Sequence, residues 1–181
     1  MARKILVVVD MQNDFTTGVL GNQECAAVIP KVEELIRKGG YDVVAATMDT
    51  HTEDYLNTNE GKNLPVVHCI RDTEGWQIVP AVEKALQEAA GGNKVPTFQK
   101  PAFGSVELAE YLRQQYGEDP DLQIDFAGVC TGICVISNVA LAKAFCPEAQ
   151  VRVIASACAC VTPESHETAL NAMKTFQVAV V

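Results

Sequence analysis

The sequence contains no apolar run that approaches the ~18–20 residues of a membrane span. A place in the bilayer is therefore not expected. It contains no cluster of Lys and Arg either. Acidic side chains outnumber basic ones, 23 to 14, and the formal net charge is −9. A nucleic acid is gripped through its phosphates by a basic face, so it is not an expected partner. The acidic surplus mainly favours solubility. Regular cysteine spacing is missing as well: the seven cysteines are odd in number and form no disulfide framework. The segment MARKILVVVDMQND does not resemble an export signal. It has a basic start, only five apolar residues in a row before Asp10, and no small-residue cleavage site. The thiols are expected to be reduced and the protein cytoplasmic. No internal repeat or low-complexity stretch occurs, and histidine is confined to His51, His68 and His166.

What is present is a globular composition, 48% hydrophobic over 181 residues, enough for a single domain spanning 1–181 with a sizeable core. Strand-like and helix-like segments alternate. KILVVVD (4–10) is a continuous β-branched run, typical of a strand covered on both faces. AAVIPKVEELIRKGG (26–40) carries Val28, Val32, Leu35 and Ile36 at helical spacing and ends in two glycines. YDVVAATMD (41–49) is the next strand, and LPVVHC (64–69) a short strand or extended segment. Residues 79–92 predict a helix, 94–100 an extended segment, and GSVELAEYLRQQYG a helix capped by Ser105. LQIDFAGV (122–129) predicts a strand and 131–145 a helix. Residues 150–159 predict a strand, and a helix follows with Thr162 as its cap and Pro163 in its first turn. QVAVV (177–181) predicts a last strand. This alternation implies a three-layer α/β/α fold of Rossmann type with a mainly parallel central sheet. THTEDYLNTNEGKNL (50–64) is polar, has no helical period, and predicts an irregular loop of the kind that holds functional sites.

Polar residues gather at the carboxyl ends of the predicted strands. They are Asp10, then Asp49 with His51, then Lys100, then Cys130 with Cys134. Each alone has an ordinary explanation as a cap, a solvated charge or an inert core thiol. The two cysteines in GVCTGICVIS admit three readings. A zinc clip wants further Cys or His at metal spacing, and no second pair follows. A disulfide is disfavoured in a reducing compartment. A working thiol in the first turn of a helix would have its thiolate favoured by free N–H groups, which can also hold an oxyanion. Such a thiol needs a cation and a proton carrier, roles open to Lys100 and Asp10.

VVVDMQNDF (7–15), FQKPAFGS (98–105) and GVCTGICV (128–135) together resemble the isochorismatase-like cysteine hydrolases, which include nicotinamidases. The resemblance spans nearly the whole chain, with the motifs in the family's order. It implies a catalytic triad of Asp10, Lys100 and Cys134. It also implies a cis peptide bond between Val129 and Cys130, and an oxyanion hole made by the N–H groups of Cys130 and Cys134. Asp49, His51 and His68 look like the nicotinamidase metal set, which suits one divalent transition metal: Zn, Fe or Mn. The ordinary alternative puts His51 on a solvated loop and His68 in the core. Many nicotinamidases have another histidine soon after D-x-H; here Glu60 is the expected replacement, ahead of Asp54 and Glu53. Phe15, beside the triad aspartate, is the aromatic expected at the substrate, ahead of Trp76 and Phe103. His166 is expected to cap or pack, and Cys158 and Cys160 to fill core.

The function this resemblance implies is hydrolysis of a small amide, foremost nicotinamide to nicotinate and ammonia through a Cys134 thioester. Another amide, a ureido acid or a carbamoyl compound fits the same chemistry. A binding protein on a retired hydrolase fold is the competing class. Family likeness also suggests self-assembly into a homo-oligomer.

Overall fold

Successive side chains on a strand reach opposite faces of a sheet. In β1 (Lys4–Val9), Ile5, Val7 and Val9 join one buried apolar cluster and Leu6 and Val8 join another. A strand apolar on both faces belongs in the middle of a covered sheet. The computed structural model, which describes residues 3–181, puts β1 there. The other strands are β2 (Val43–Asp49), β3 (Thr97–Lys100), β4 (Gln123–Val129), β5 (Gln150–Ala159) and β6 (Ala179–Val180). Their order is β3-β2-β1-β4-β5-β6, and every pairing is parallel.

Parallel neighbours need crossovers, and helices provide them on both faces. The cluster around Leu6 and Val8 is closed by α2 (Gln23–Ala27), α3 (Ile29–Lys38) and α5 (Pro80–Ala89). The cluster around Ile5 and Val7 is closed by α6 (Val106–Tyr116), α7 (Ile136–Phe145) and α8 (Pro163–Thr175). The result is the α/β/α sandwich of the isochorismatase-like fold. Full burial of a Val, Leu or Ile contributes roughly 1.5–3 kcal/mol. The two apolar layers therefore hold the sheet, not exposed pairs such as Glu34–Lys38, which water screens. Two single-turn helices, α1 (Asn13–Thr16) and α4 (Asn59–Asn63), sit in the loops after β1 and β2.

Several local expectations need correction. The helix over 26–40 is two helices, because Pro30 lies in the first turn of α3 and cannot continue a helix begun earlier. The 50–64 loop contains a short turn of 3₁₀ helix (Tyr55–Asn57) and α4, which starts where the Thr58 side chain accepts from Gly61 N–H at 3.0 Å. A cap rather than an apolar stripe makes that helix, so periodicity gave no sign of it. Residues 64–69 join no strand; the nearest pairing is an isolated bridge between His51 and Ile70. The predicted helix at 131 opens with a wide π-type turn (Thr131–Val135) before α7.

Gly128 near the end of β4 has φ +123°, and a Cβ there would stand 2.1 Å from the Val9 carbonyl oxygen. It also marks the register shift between β4 and β5. Gly128→Ala is expected to cost about 3 kcal/mol or more. At about 2–4 °C per kcal/mol, thermal unfolding should begin roughly 6–12 °C lower. An unchanged melting temperature would remove the close approach of β1 and β4.

Candidate active site

Parallel strands bring their carboxyl ends to one rim. Lys100 closes β3, Asp49 closes β2 as its register partner, Asp10 follows β1, and Cys130 follows β4. Asp10 has φ +49°, a left-handed conformation that aspartate tolerates better than most residues. The Lys100 ammonium lies 2.7 Å from Asp10 Oδ2, 3.2 Å from Asp49 Oδ1 and 3.6 Å from Cys134 Sγ. It also donates to the Ala102 carbonyl at 3.0 Å. Lys100 is 1% exposed and Asp10 fully buried, so neither charge has water for company. Burial alone would push the Lys100 ammonium toward neutrality. The charges of Asp10 and Asp49 oppose it, and the ammonium is held above its ordinary range. Asp10 is pushed up by burial, with Lys100 opposing and the Asp49 charge adding to the rise. Its Oδ1 accepts a bond of 2.6 Å from Thr47 Oγ1.

Cys134 sits in the π-type turn after a cis Val129–Cys130 peptide bond and is 6% exposed. The structure corrects the expectation of a lowered thiol. Burial, then the Asp10 charge, pushes it well above the ordinary cysteine value, and Lys100 opposes without prevailing. One turn of exposed N–H groups does not offset a dry site with two carboxylates. Cys134 therefore rests as a thiol beside a charged Asp10–Lys100 pair. The turn is tied down by Asn138, whose Nδ2 donates to the Cys134 carbonyl at 2.8 Å and to Phe103 O at 3.2 Å. Its Oδ1 accepts from Ser105 N–H at 2.9 Å. This buried amide locks the thiol-bearing turn to the loop that follows Lys100. Sequence reading passed over it, although a lone Asn among the apolar residues of α7 was a usable sign.

Asp49, His51, Glu60 and His68 each offer a ligand atom, and these atoms all lie within 4.8 Å of one another. Asp49 Oδ2 is 2.9 Å from His51 Nε2 and 3.5 Å from His68 Nε2. Glu60 Oε1 is 3.7 and 3.8 Å from the same two nitrogens. His68 Nδ1 faces the Val66 carbonyl at 2.7 Å, which keeps the proton there and leaves Nε2 as a lone-pair donor. His51 Nε2 is buried with no hydrogen-bond partner. A cation among these four atoms would satisfy that orphan, so the residues fit a divalent metal. Burial works against the Asp49 carboxylate, yet the two imidazoles and the Lys100 charge beside it hold it well below its ordinary value. Gln12, also missed from sequence, clamps Asp49 by its backbone: Oε1 accepts from Asp49 N–H at 2.7 Å and Nε2 donates to Asp49 O at 2.9 Å. Tyr55 packs against both imidazoles, with ring centroids 4.6 and 4.9 Å away. Glu53 and Asp54 are exposed and outside the cluster.

Above these groups opens a cavity of about 320 Å³. Phe15, Leu64, Phe103, Ile133 and Val161 wall it, and Cys134, His68 and Glu60 reach it from below. Phe15 lies 5.4 Å, centroid to centroid, from His68. Trp76 is outside this wall and donates its indole N–H to Thr50 Oγ1 at 2.9 Å. His166 does more than cap or pack: its Nδ1 is 2.8 Å from Thr131 Oγ1, at the start of the π-type turn.

The family model for the isochorismatase domain matches residues 4–181, and the chain belongs to that family. Among solved structures, it is 28% identical to the pyrazinamidase of Pyrococcus horikoshii in complex with zinc, with a TM-score of 0.76 over 99% of this chain and 98% of that one. It is 25% identical to the nicotinamidase/pyrazinamidase of Bacillus subtilis, with a TM-score of 0.79 over 99% of both chains. The pyrazinamidase/nicotinamidase of Streptococcus mutans shares the fold at 23% identity, with a TM-score of 0.83 over 98% of this chain and 99% of that one. No curated protein matches the chain. No helix among the described residues is long and apolar enough to cross a membrane.

Proposed function

We propose that this isochorismatase-family hydrolase is a metal-containing cysteine amidase whose substrate is nicotinamide, cleaved to nicotinate and ammonia. One observation carries the reading. The Lys100 ammonium touches both Asp10, at 2.7 Å, and Cys134, at 3.6 Å, on the floor of an apolar cavity. A nucleophile, its base and a fixed cation are what acyl transfer needs. The likeness to the zinc-bound pyrazinamidase and to the nicotinamidase/pyrazinamidase supports a flat heteroaromatic amide as the substrate.

Because Cys134 rests protonated, Asp10 takes its proton as the sulfur attacks the carbonyl carbon. The carbonyl electron pair moves to oxygen, where the N–H groups of Cys130 and Cys134 hold it. The C–N bond then breaks, Asp10 returns the proton to nitrogen, and ammonia leaves. Water, activated by Asp10, hydrolyses the thioester and restores the thiol. Lys100 stays charged throughout. It keeps Asp10 in place and offsets the negative charge on sulfur. Asp49, His51, His68 and Glu60 would hold one divalent transition metal (Zn, Fe or Mn), which would supply a Lewis acid beside the substrate ring and so help orient it. Asp49 links the two halves of the site, with Oδ2 toward the imidazoles and Oδ1 toward Lys100.

The test is ammonia release by purified protein from nicotinamide, other small amides, ureido acids and carbamoyl compounds, each with and without a chelator. Chelator-sensitive release from nicotinamide is expected. Chelator-insensitive release from a non-pyridine compound alone would overturn the substrate assignment. His51→Ala is expected to lower metal affinity by about 100-fold or more. Metal content unchanged after dialysis would sink His51 as a ligand.

A further inference from the structure

Three cysteines whose thiols the reaction does not use, Cys25, Cys130 and Cys160, lie behind the active-site turn. Val129 of β4 is the register partner of Ala159 of β5. The next residues, Cys130 and Cys160, therefore leave neighbouring strands side by side. Adjacent strands lie about 4.8 Å apart, and a disulfide joins Cα atoms about 4.4–6.8 Å apart. The Cys130 thiol is pushed up chiefly by its neighbours Cys160 and Cys25. A Cβ placed on Gly132 would stand 3.6 Å from Cys160 Sγ, so that sulfur lies against the turn that holds Cys134. Cys25 is fully buried and fastened, accepting from Asn22 Nδ2 at 3.3 Å and donating to the Cys160 carbonyl at 3.7 Å. Cys160 is 3% exposed and lies at the wall of two surface cavities, of about 580 and 190 Å³. Cys130 reaches the active-site cavity.

We propose that Cys160 and Cys130 form a hydroperoxide-sensitive thiol pair whose oxidation to a disulfide switches off the active-site turn. Chemistry favours Cys160 as the first to react. The neighbouring Cys130, with help from Ser165 and the Gly132 and Val161 N–H groups and against the cost of burial, holds it down to about 5, while Cys130 itself is pushed up. Cys134, the thiol at the active-site cavity, is pushed the opposite way. The Cys160 thiolate attacks one peroxide oxygen. The O–O bond breaks, giving Cys160 sulfenic acid and hydroxide, which takes a proton to become water. The Cys130 sulfur attacks the Cys160 sulfur, the S–O bond breaks, and a second water leaves. Two thiols and one hydrogen peroxide become one disulfide and two waters. The new bond draws Cys130 toward β5 and away from the position in which its N–H faces the carbonyl oxygen. Losing one such donor lowers turnover by about 100-fold or more. The effect on activity rests on the amidase reading; the thiol pair itself does not.

The experiment treats reduced, full-length protein with hydrogen peroxide, alkylates the remaining thiols, and maps crosslinked peptides by mass. In parallel, ammonia release is measured before and after dithiothreitol. A Cys130–Cys160 crosslink is expected, with a loss of activity of about 100-fold that dithiothreitol restores. Cys160→Ser should keep basal turnover and lose the reversible inhibition. Cys160→Ala serves the same purpose should the serine variant melt early. Crosslinks of Cys25 instead, oxidation of Cys134 alone, or reversible inhibition persisting without Cys160 would each overturn the proposal. Should reduced protein release no ammonia from any amide, the amidase reading fails, and the crosslink map still decides the thiol pair.

Discussion

Cys134→Ala is expected to lower turnover by about 10⁴-fold or more while the protein stays folded. Nothing else at the rim can take over. The remaining groups within reach of Lys100 are carboxylates and a carbonyl, and none offers a sulfur's nucleophilicity. The fold should tolerate the change, because the variant leaves no charge unpaired. Losing one sulfur from a buried position costs about 1 kcal/mol, or about 2–4 °C in melting temperature. Steady-state kinetics and thermal unfolding on the same preparation separate the two effects. Residual activity within tenfold of the parent would remove Cys134 from the reaction, however well the geometry suits it.

Lys100→Met should damage both activity and stability. It keeps the length of the stem and removes the charge. Asp10, fully buried, then loses the only cation within 4 Å among the described residues, and Asp49 loses one of its partners. Breaking a buried pair in this way costs about 3–5 kcal/mol, or roughly 6–20 °C here. The loss should depend on pH, with a definite sign. Burial already raises the Asp10 carboxyl above 3.8, and Lys100 is what opposes the rise. Without Lys100 the folded-state value climbs further, while the unfolded value stays near 3.8. A carboxyl raised by folding favours the folded state only when protonated. The deficit relative to the parent should therefore be small at acid pH and grow as pH rises past the parent's folded-state value, which lies above 3.8. Adding Asp10→Asn should recover part of it, because the stranded charge is gone. A deficit independent of pH, or a double variant no more stable than the single one, would mean that Asp10 is not the group Lys100 keeps ionised.

Much of the architecture was readable before any coordinates. β1, β2 and β4 announce themselves as apolar runs, and the Ser105 and Thr162 caps lie where side-chain oxygens precede helical patterns. The break at Pro30 was readable too, since a proline in mid-pattern is a local signal. α4 was not, because a capped single turn leaves no periodic trace. Motif likeness named Asp10, Lys100, Cys134 and the Asp49–His51–His68 set. It offered no view of Gln12, Thr47 or Asn138, whose side chains bond to groups 37, 37 and 33 residues away.

By itself, the order of residues determined the α/β/α fold, the family, and which polar residues would end strands. Each of these depends on patterns within a dozen neighbours or on a short motif. Tertiary structure decided the state of the groups. The Cys134 thiol is held up by burial and the Asp10 charge, and Glu60 and not Asp54 joins the imidazoles. Ionisation and proximity depend on burial and on charges from distant segments, and those come together only when parallel strands align their ends at one rim.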